Sequence, residues 1–171
     1  MASVAAALIA LLGVIIAGFL STIVAEDYRR FRDGSGLAAA LAGELGSYMM
    51  ALDMMLTIVD ELQRVAETKG SVHLGPVHGQ VDHVFETQAG KLGLLGPVLA
   101  EDTAFVYHNI RAFRSAYRLL SDPPRSWDKA QVVSILRGMR DCVQRAKDRG
   151  VPLVVALKTR AAATYPAPWR R

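Results

Sequence analysis

Three histidines recur every five residues, at His73, His78 and His83, and two carboxylates, Asp82 and Glu86, stand four and eight residues beyond His78. Imidazole and carboxylate together are the ligands of catalytic zinc and of related divalent sites. In a helix running from His78 onward, His78, Asp82 and Glu86 share one face and could hold a metal for hydrolysis. A five-residue step, however, turns successive histidines onto different faces, and Gly75, Pro76 and Gly79 make the first part of the stretch a loop. No HExxH or Cys-x-x-Cys element accompanies them. They are expected to be exposed loop and helix-start side chains, with no metal and no cofactor; a metal-dependent hydrolase is the least favoured alternative.

Nucleophilic chemistry has no better candidate. Cys142 has no histidine near it in sequence and is expected to be a small, buried or half-buried residue. A lone thiol cannot form an internal disulfide, which agrees with a reducing compartment. No Gly-x-Ser-x-Gly elbow, phosphate-binding loop or dinucleotide fingerprint is present. The glycines fall at helix ends or inside helices, where they allow close packing. The chain is expected not to be an enzyme.

What the elements must position is set first by residues 2–25, which carry no charge and only three polar side chains, Ser3, Ser21 and Thr22. As a helix these residues are about 36 Å long, enough to cross a hydrocarbon core of about 30 Å. A cleaved signal peptide fits less well. Residues 1–4 have no basic side chain, the apolar run is too long, and Ile23 is bulky at the position where a small residue is required. Arg29, Arg30 and Arg32 follow the span and nothing basic precedes it, so the N-terminus is expected to face outward and residues 26–171 to lie on the cytoplasmic side of the membrane. Ala6, Ala10, Gly13, Ala17 and Ser21 recur at helical spacing as a stripe of small residues. Such stripes let spans pack closely, so self-association is expected.

Beyond residue 25 the pattern is helical. Leu37, Leu41, Leu45, Tyr48, Leu52, Met55, Val59, Leu62 and Ala66 step by three and four, which predicts an amphipathic helix over 37–69. Asp33-Gly34-Ser35-Gly36 predicts a break between it and the span. A second helix is expected over 80–92, a third over 97–120 after the turn Gly93-Leu94-Leu95-Gly96-Pro97, and a fourth over 127–149 capped by Ser126. Gly150-Val151-Pro152 predicts another break before a short fifth helix over 152–165. No alternating strand run is found. The expected fold is all-α: an anchor over 1–25, a juxtamembrane linker over 26–36, an up-and-down bundle of four to five helices over 37–165, and a tail over 166–171.

Charge is uneven. Residues 26–102 hold 6 basic and 12 acidic side chains, and residues 103–171 hold 14 and 4. Complementarity inside one bundle explains this most simply. A basic helix face at Arg111, Arg114 and Arg118, with Arg137, Arg140 and Arg145 close to forming another, is the alternative. Tyr107, Phe113 and Tyr117 belong to a core stripe rather than to stacking platforms, so the expected anion for such a face is lipid, not nucleic acid.

The bundle invites comparison with small all-helical ribonuclease domains of prokaryotic defence systems, which use an Arg-x4–6-His element. Here no histidine has an arginine five to seven residues before it, which argues against that activity. The order of parts resembles a set of uncharacterised bacterial single-span inner-membrane proteins with a cytoplasmic helical bundle. The likeness is closest in Phe85-Glu86-Thr87-Gln88-Ala89-Gly90-Lys91-Leu92-Gly93-Leu94-Leu95-Gly96-Pro97 and the helix that follows. It implies no catalytic residues. The layout, without a shared motif, is also similar to single-span oligomeric pore-type proteins found beside some CRISPR effectors. The resulting expectation is a membrane-anchored bundle acting in assembly or partner binding, with a homo-oligomeric pore or membrane-perturbing effector as the alternative.

Overall fold

The computed structural model describes residues 2–70, 72, 74, 75, 82–122 and 127–166; the side chains of residues 2–10 and 16 lie outside that description. Every element among the described residues is helical and no strand is present. Helix α1 covers Ala2–Lys69, α2 covers His83–Gln88, a 3-10 segment covers Ala89–Leu95, α3 covers Pro97–Ser121 and α4 covers Lys129–Ala162. An all-α chain with one long apolar N-terminal helix leading into a bundle is what the sequence predicted.

The predicted linker is not there. The span and the first bundle helix are one helix of 68 residues, helical through Asp33-Gly34-Ser35-Gly36. Two glycines in a helix interior cost about 1 kcal/mol each relative to alanine, and tertiary contacts outweigh that. A Cβ on Gly34 would sit 2.6 Å from the carbonyl oxygen of Leu94, so glycine is there to let the 3-10 segment touch α1. Arg160 donates to the Ser35 hydroxyl at 3.0 Å, and Leu37 and Ala38 beside it are buried.

The second predicted break is also absent, because α4 runs unbroken through Gly150-Val151-Pro152. Proline inside a helix costs about 3 kcal/mol. Leu153, Val154 and Leu157 just beyond it are buried, and each contributes about 1.5–3 kcal/mol by leaving water. Burial wins, and the expected fourth and fifth helices are one. Gly150 lies where three helices converge, with the Met49 sulfur and Val106 directly over its Cα. The helix starts later than predicted and its cap is Asp128, not Ser126, which lies outside the described residues. Asp128 accepts from the Gln131 amide at 2.8 Å while the Gln131 side chain accepts from the Asp128 amide at 2.9 Å. The expected helix over 80–92 is shorter, giving way to the 3-10 segment at Ala89. Helix α3 matches its predicted bounds closely, with Pro97 in its first turn after Gly96 at φ 87°.

Helices α1 and α4 pack antiparallel. Asp27 meets Tyr165, Ser35 meets Arg160, Asp53 meets Lys147, Asp60 meets Arg140 and Glu67 meets Arg137. The seam follows strict heptads on both sides. Leu45, Leu52, Val59 and Ala66 of α1 are buried, as are Val132, Leu136, Met139, Val143, Ala146, Gly150, Leu153 and Leu157 of α4, which alternate four and three apart. A period of 3.5 keeps such a stripe facing its partner over the full length of both helices. Helix α3 packs on α4 through Asn109–Arg145 and the Arg149 pairs with Glu101 and Asp102. The uneven charge is thus complementary within the bundle, as its simplest explanation required.

Among the described side chains of residues 11–25 of α1, none is buried. The first part of α1 is apolar and long enough to cross a membrane, and Leu11, Leu12, Val14, Ile15, Phe19 and Leu20 are all more than half exposed. Its described polar side chains are satisfied inside the helix, Ser21 and Thr22 both donating to the Gly18 carbonyl.

Two substitutions separate a packed helix from a flexible linker at residues 33–36. Gly34→Ala is expected to destabilise the fold by about 1–3 kcal/mol, because its Cβ meets backbone. Gly36→Ala, with open space around its Cα, is expected to stabilise by up to about 1 kcal/mol. Denaturant unfolding of both variants checks this; equal, negligible shifts would show the segment to be a linker after all.

Candidate functional site

Asp82 and Glu86, the carboxylates whose spacing from His78 suited a metal, are engaged by arginines and a tyrosine instead. Asp82 is 2% exposed, which corrects its expected place in an exposed loop. Its carboxylate accepts from Arg114 at 2.7 Å, from Arg111 at 3.1 Å and from the Tyr48 hydroxyl at 3.0 Å. Glu86 accepts from Arg111 at 3.1 Å. His83 is exposed at the start of α2, and His73 and His78 lie outside the described residues. Among the described residues no three histidine, cysteine or acidic side chains are placed to hold a metal ion.

Glu44 of α1, which no sequence pattern singled out, completes this cluster. Its carboxylate accepts from the backbone amides of Val84 and Phe85, at 3.0 and 3.2 Å, and from the Tyr107 hydroxyl. The first amides of a helix have no intrahelical acceptor, and Asp82, at the N-cap position, makes no side-chain cap bond. Glu44 does that work from another helix, leaving Asp82 to the arginines. Phe85 stacks on Tyr107 at 4.0 Å, and Arg111 and Arg114 lie over Phe85 and Tyr48 at 5.0 and 5.3 Å. Buried tyrosines require polar partners; Tyr48 and Tyr107 on the core stripes were the signal that carboxylates had to be nearby.

The basic face expected at Arg111, Arg114 and Arg118 is therefore not an open one. Arg111 and Arg114 hold α2 in place, and Arg118 alone has no ion-pair partner among the described residues. It is also far from the apolar stretch of α1. Tyr48, level with this cluster, stands about 35 Å along α1 from residue 25 at 1.5 Å per residue. Arg137 and Arg140 pair with Glu67 and Asp60, and Arg145 with Asn109.

Above α2 the described residues leave a gap in the bundle. Asp82 packs at the level of Tyr48, Val84 and Phe85 at Glu44, and Leu94 at Gly34, so α2 and the 3-10 segment descend along the half of the bundle nearer the apolar stretch of α1 only. There four helical segments surround the core. In the distal half, three do among the described residues. The α1 stripe Tyr48, Met55 and Leu62, one heptad apart, is only partly buried there, whereas Leu41 below is fully buried. A groove of about 380 Å³ results, walled by Met54, Met55, Ile58 and Leu62 of α1, Phe113 and Tyr117 of α3, and Met139 and Cys142 of α4. Met54 and Ile58 in that wall are 61% and 48% exposed, and Met50, one turn before Met54 on α1, is 86% exposed. Methionine-rich apolar surfaces adapt to varied partners. Cys142 is half-buried in its floor, as expected.

Of the small-residue stripe, Gly13, Ala17 and Ser21 are exposed and one-sided on α1; the side chains of Ala6 and Ala10 lie outside the described residues. Arg29 and Arg30 share Glu26, and Arg32 lies 4.0 Å from Asp33, all largely exposed. No protein-family model, curated protein or solved structure matches the chain.

Two outcomes follow from the cluster's chemistry. Removing the Asp82 carboxylate with Asp82→Ala strands two arginines and a tyrosine and is expected to cost about 3 kcal/mol, the lower end for a broken buried pair because Arg111 is partly exposed. Burial, reinforced by the neighbouring Glu44 carboxylate, pushes the Tyr107 phenol far above its ordinary value of 10.0. The folded state holds that proton more tightly than the unfolded state, so this stabilisation is complete below pH 10.0 and is lost as the pH rises above it. Denaturation followed by circular dichroism is expected to show stability falling with alkaline pH, and Tyr107→Phe to flatten that fall while costing about 2 kcal/mol at neutral pH.

Proposed function

We propose that this chain is a membrane-anchored, non-enzymatic helical-bundle protein acting in assembly or partner binding. Its place is a bacterial inner membrane, with the bundle in the cytoplasm. The observation that carries this reading is α1 itself. One helix joins an uncharged apolar stretch to the bundle core, so whatever the bundle holds is fixed in position relative to the membrane. The arginines at 29, 30 and 32 favour the cytoplasmic side for the bundle. The distal groove and its exposed methionines favour a binding role for the bundle, since apolar patches rimmed by polar residues mark interaction sites. The one-sided Gly13, Ala17 and Ser21 favour self-association through the span.

The anchor is tested by alkaline carbonate extraction, which should leave the full chain in the membrane pellet, and by trypsin, which should digest the bundle in inverted vesicles and not in intact spheroplasts. Release into the supernatant would rule out the anchoring. Self-association is tested by native mass in mild detergent. An oligomer is expected that Gly13→Ile together with Ala17→Ile dissociates, and a monomer in the parent protein would end that part of the proposal.

A further inference from the structure

The lining of the distal groove is apolar apart from Tyr48, Asn109, Arg114, Tyr117, Arg118 and Cys142. All but one of these are engaged within the chain. Arg114 and the Tyr48 hydroxyl donate to Asp82 at 2.7 and 3.0 Å. The Tyr117 hydroxyl donates to the Gly75 carbonyl at 3.2 Å. Asn109 donates to the Phe105 carbonyl at 2.9 Å and accepts from Arg145 at 3.0 Å, and the Cys142 sulfur accepts from Arg145 at 3.5 Å. Arg118 is left over. It stands one turn beyond Arg114 on α3, is exposed, and has no hydrogen-bond or ion-pair partner among the described residues.

This lining narrows what can occupy the groove. A polar group placed deep inside meets donors and acceptors already in use and gives up its water for nothing. A single anionic group at the edge meets the Arg118 guanidinium, whose parallel N–H groups match a carboxylate. The volume, about 380 Å³, holds about 13 non-hydrogen atoms at about 30 Å³ each, the share of one water in the liquid. That is the whole of an unbranched carboxylic acid of about ten to twelve carbons, or only about three side chains of a partner helix. Met55, in the groove wall, stands about 45 Å along α1 from residue 25, as far as a bilayer with its headgroups is thick. With the span in a membrane, bilayer lipids do not reach so far. The ligand then arrives through water, and each added methylene makes that passage harder.

We propose that the distal groove binds one medium-chain fatty acid, with its alkyl chain against the methionines of α1 and α4 and its carboxylate on Arg118. The inference rests on the binding role read for the groove above and names what is bound. Methionine suits such a ligand, because an unbranched thioether adapts to a flexible chain.

The test uses the full chain in nanodiscs and a decanoate carrying a diazirine at the end of its chain. Photolysis is expected to leave saturable adducts on groove residues such as Met54, Ile58 and Met139, and excess plain decanoate to remove them. In the same samples, alkylation of Cys142, the lone thiol of the chain, is expected to slow as the groove fills. Arg118→Gln changes an exposed side chain with no described partner to lose. It should raise the decanoate concentration for half-competition about fivefold, the upper value for an exposed ion pair at about 1 kcal/mol, and leave competition by decanol unchanged. Groove adducts that decanol and decyltrimethylammonium remove as well as decanoate does, in parent and variant alike, would overturn the acid as ligand while leaving the groove a binding site. Adducts confined to residues 2–25 would place the probe in the bilayer; they would overturn the proposal and remove the groove as support for the binding role.

Discussion

The seam between α1 and α4 is the constraint on which the rest of the molecule depends. Its two heptad stripes stay in register from Ala38 to Ala66 on one side and from Val132 to Leu157 on the other. Because that pairing is continuous, neither helix is free to break at its weak points. The glycine pair at 34 and 36 and the proline at 152 both sit on stretches whose neighbours are buried in the seam or against the 3-10 segment. The ion pairs from Asp53, Asp60 and Glu67 to α4 line its outer edge and are mostly exposed. At surface values of about 0–1 kcal/mol each, they set register and direction more than stability.

Much of the architecture was legible in residue types and spacing. The uncharged run, the three-and-four stripe of α1, the Pro97 start of α3 and the charge complementarity all appear where local pattern predicts. What failed was local punctuation. Glycine and proline report what a segment does in isolation, and a penalty of about 1–3 kcal/mol is small beside a few buried leucines. Gly34 is the clearest instance. Its lack of a side chain, taken as a break, is a contact surface for the Leu94 carbonyl.

The polar cluster was harder to see, for a different reason. Asp82 and Glu86 were singled out together, but as acidic neighbours on one short stretch; their partners Arg111, Arg114 and Tyr48 are 25 to 34 residues away in sequence. Glu44 falls off the apolar stripe of α1 and resembles any solvated glutamate. Only its position opposite the first amides of α2 gives it a role, and that position exists only once the 3-10 segment has docked on Gly34. The distal groove was invisible for the same reason, since it arises from α2 stopping at the level of Tyr48.

On the anchoring proposed above, an unbroken α1 also makes the protein a lever. Single spans sit at about 20° from the bilayer normal on average. With no joint between residues 25 and 69, any such inclination passes undiminished to the bundle. The groove's centre, about 45 Å along the shaft, then swings sideways by about 15 Å while dropping only about 3 Å. Bilayer thickness, which sets how far a span of fixed length leans, would thereby steer where the groove points across the membrane plane while scarcely changing its height.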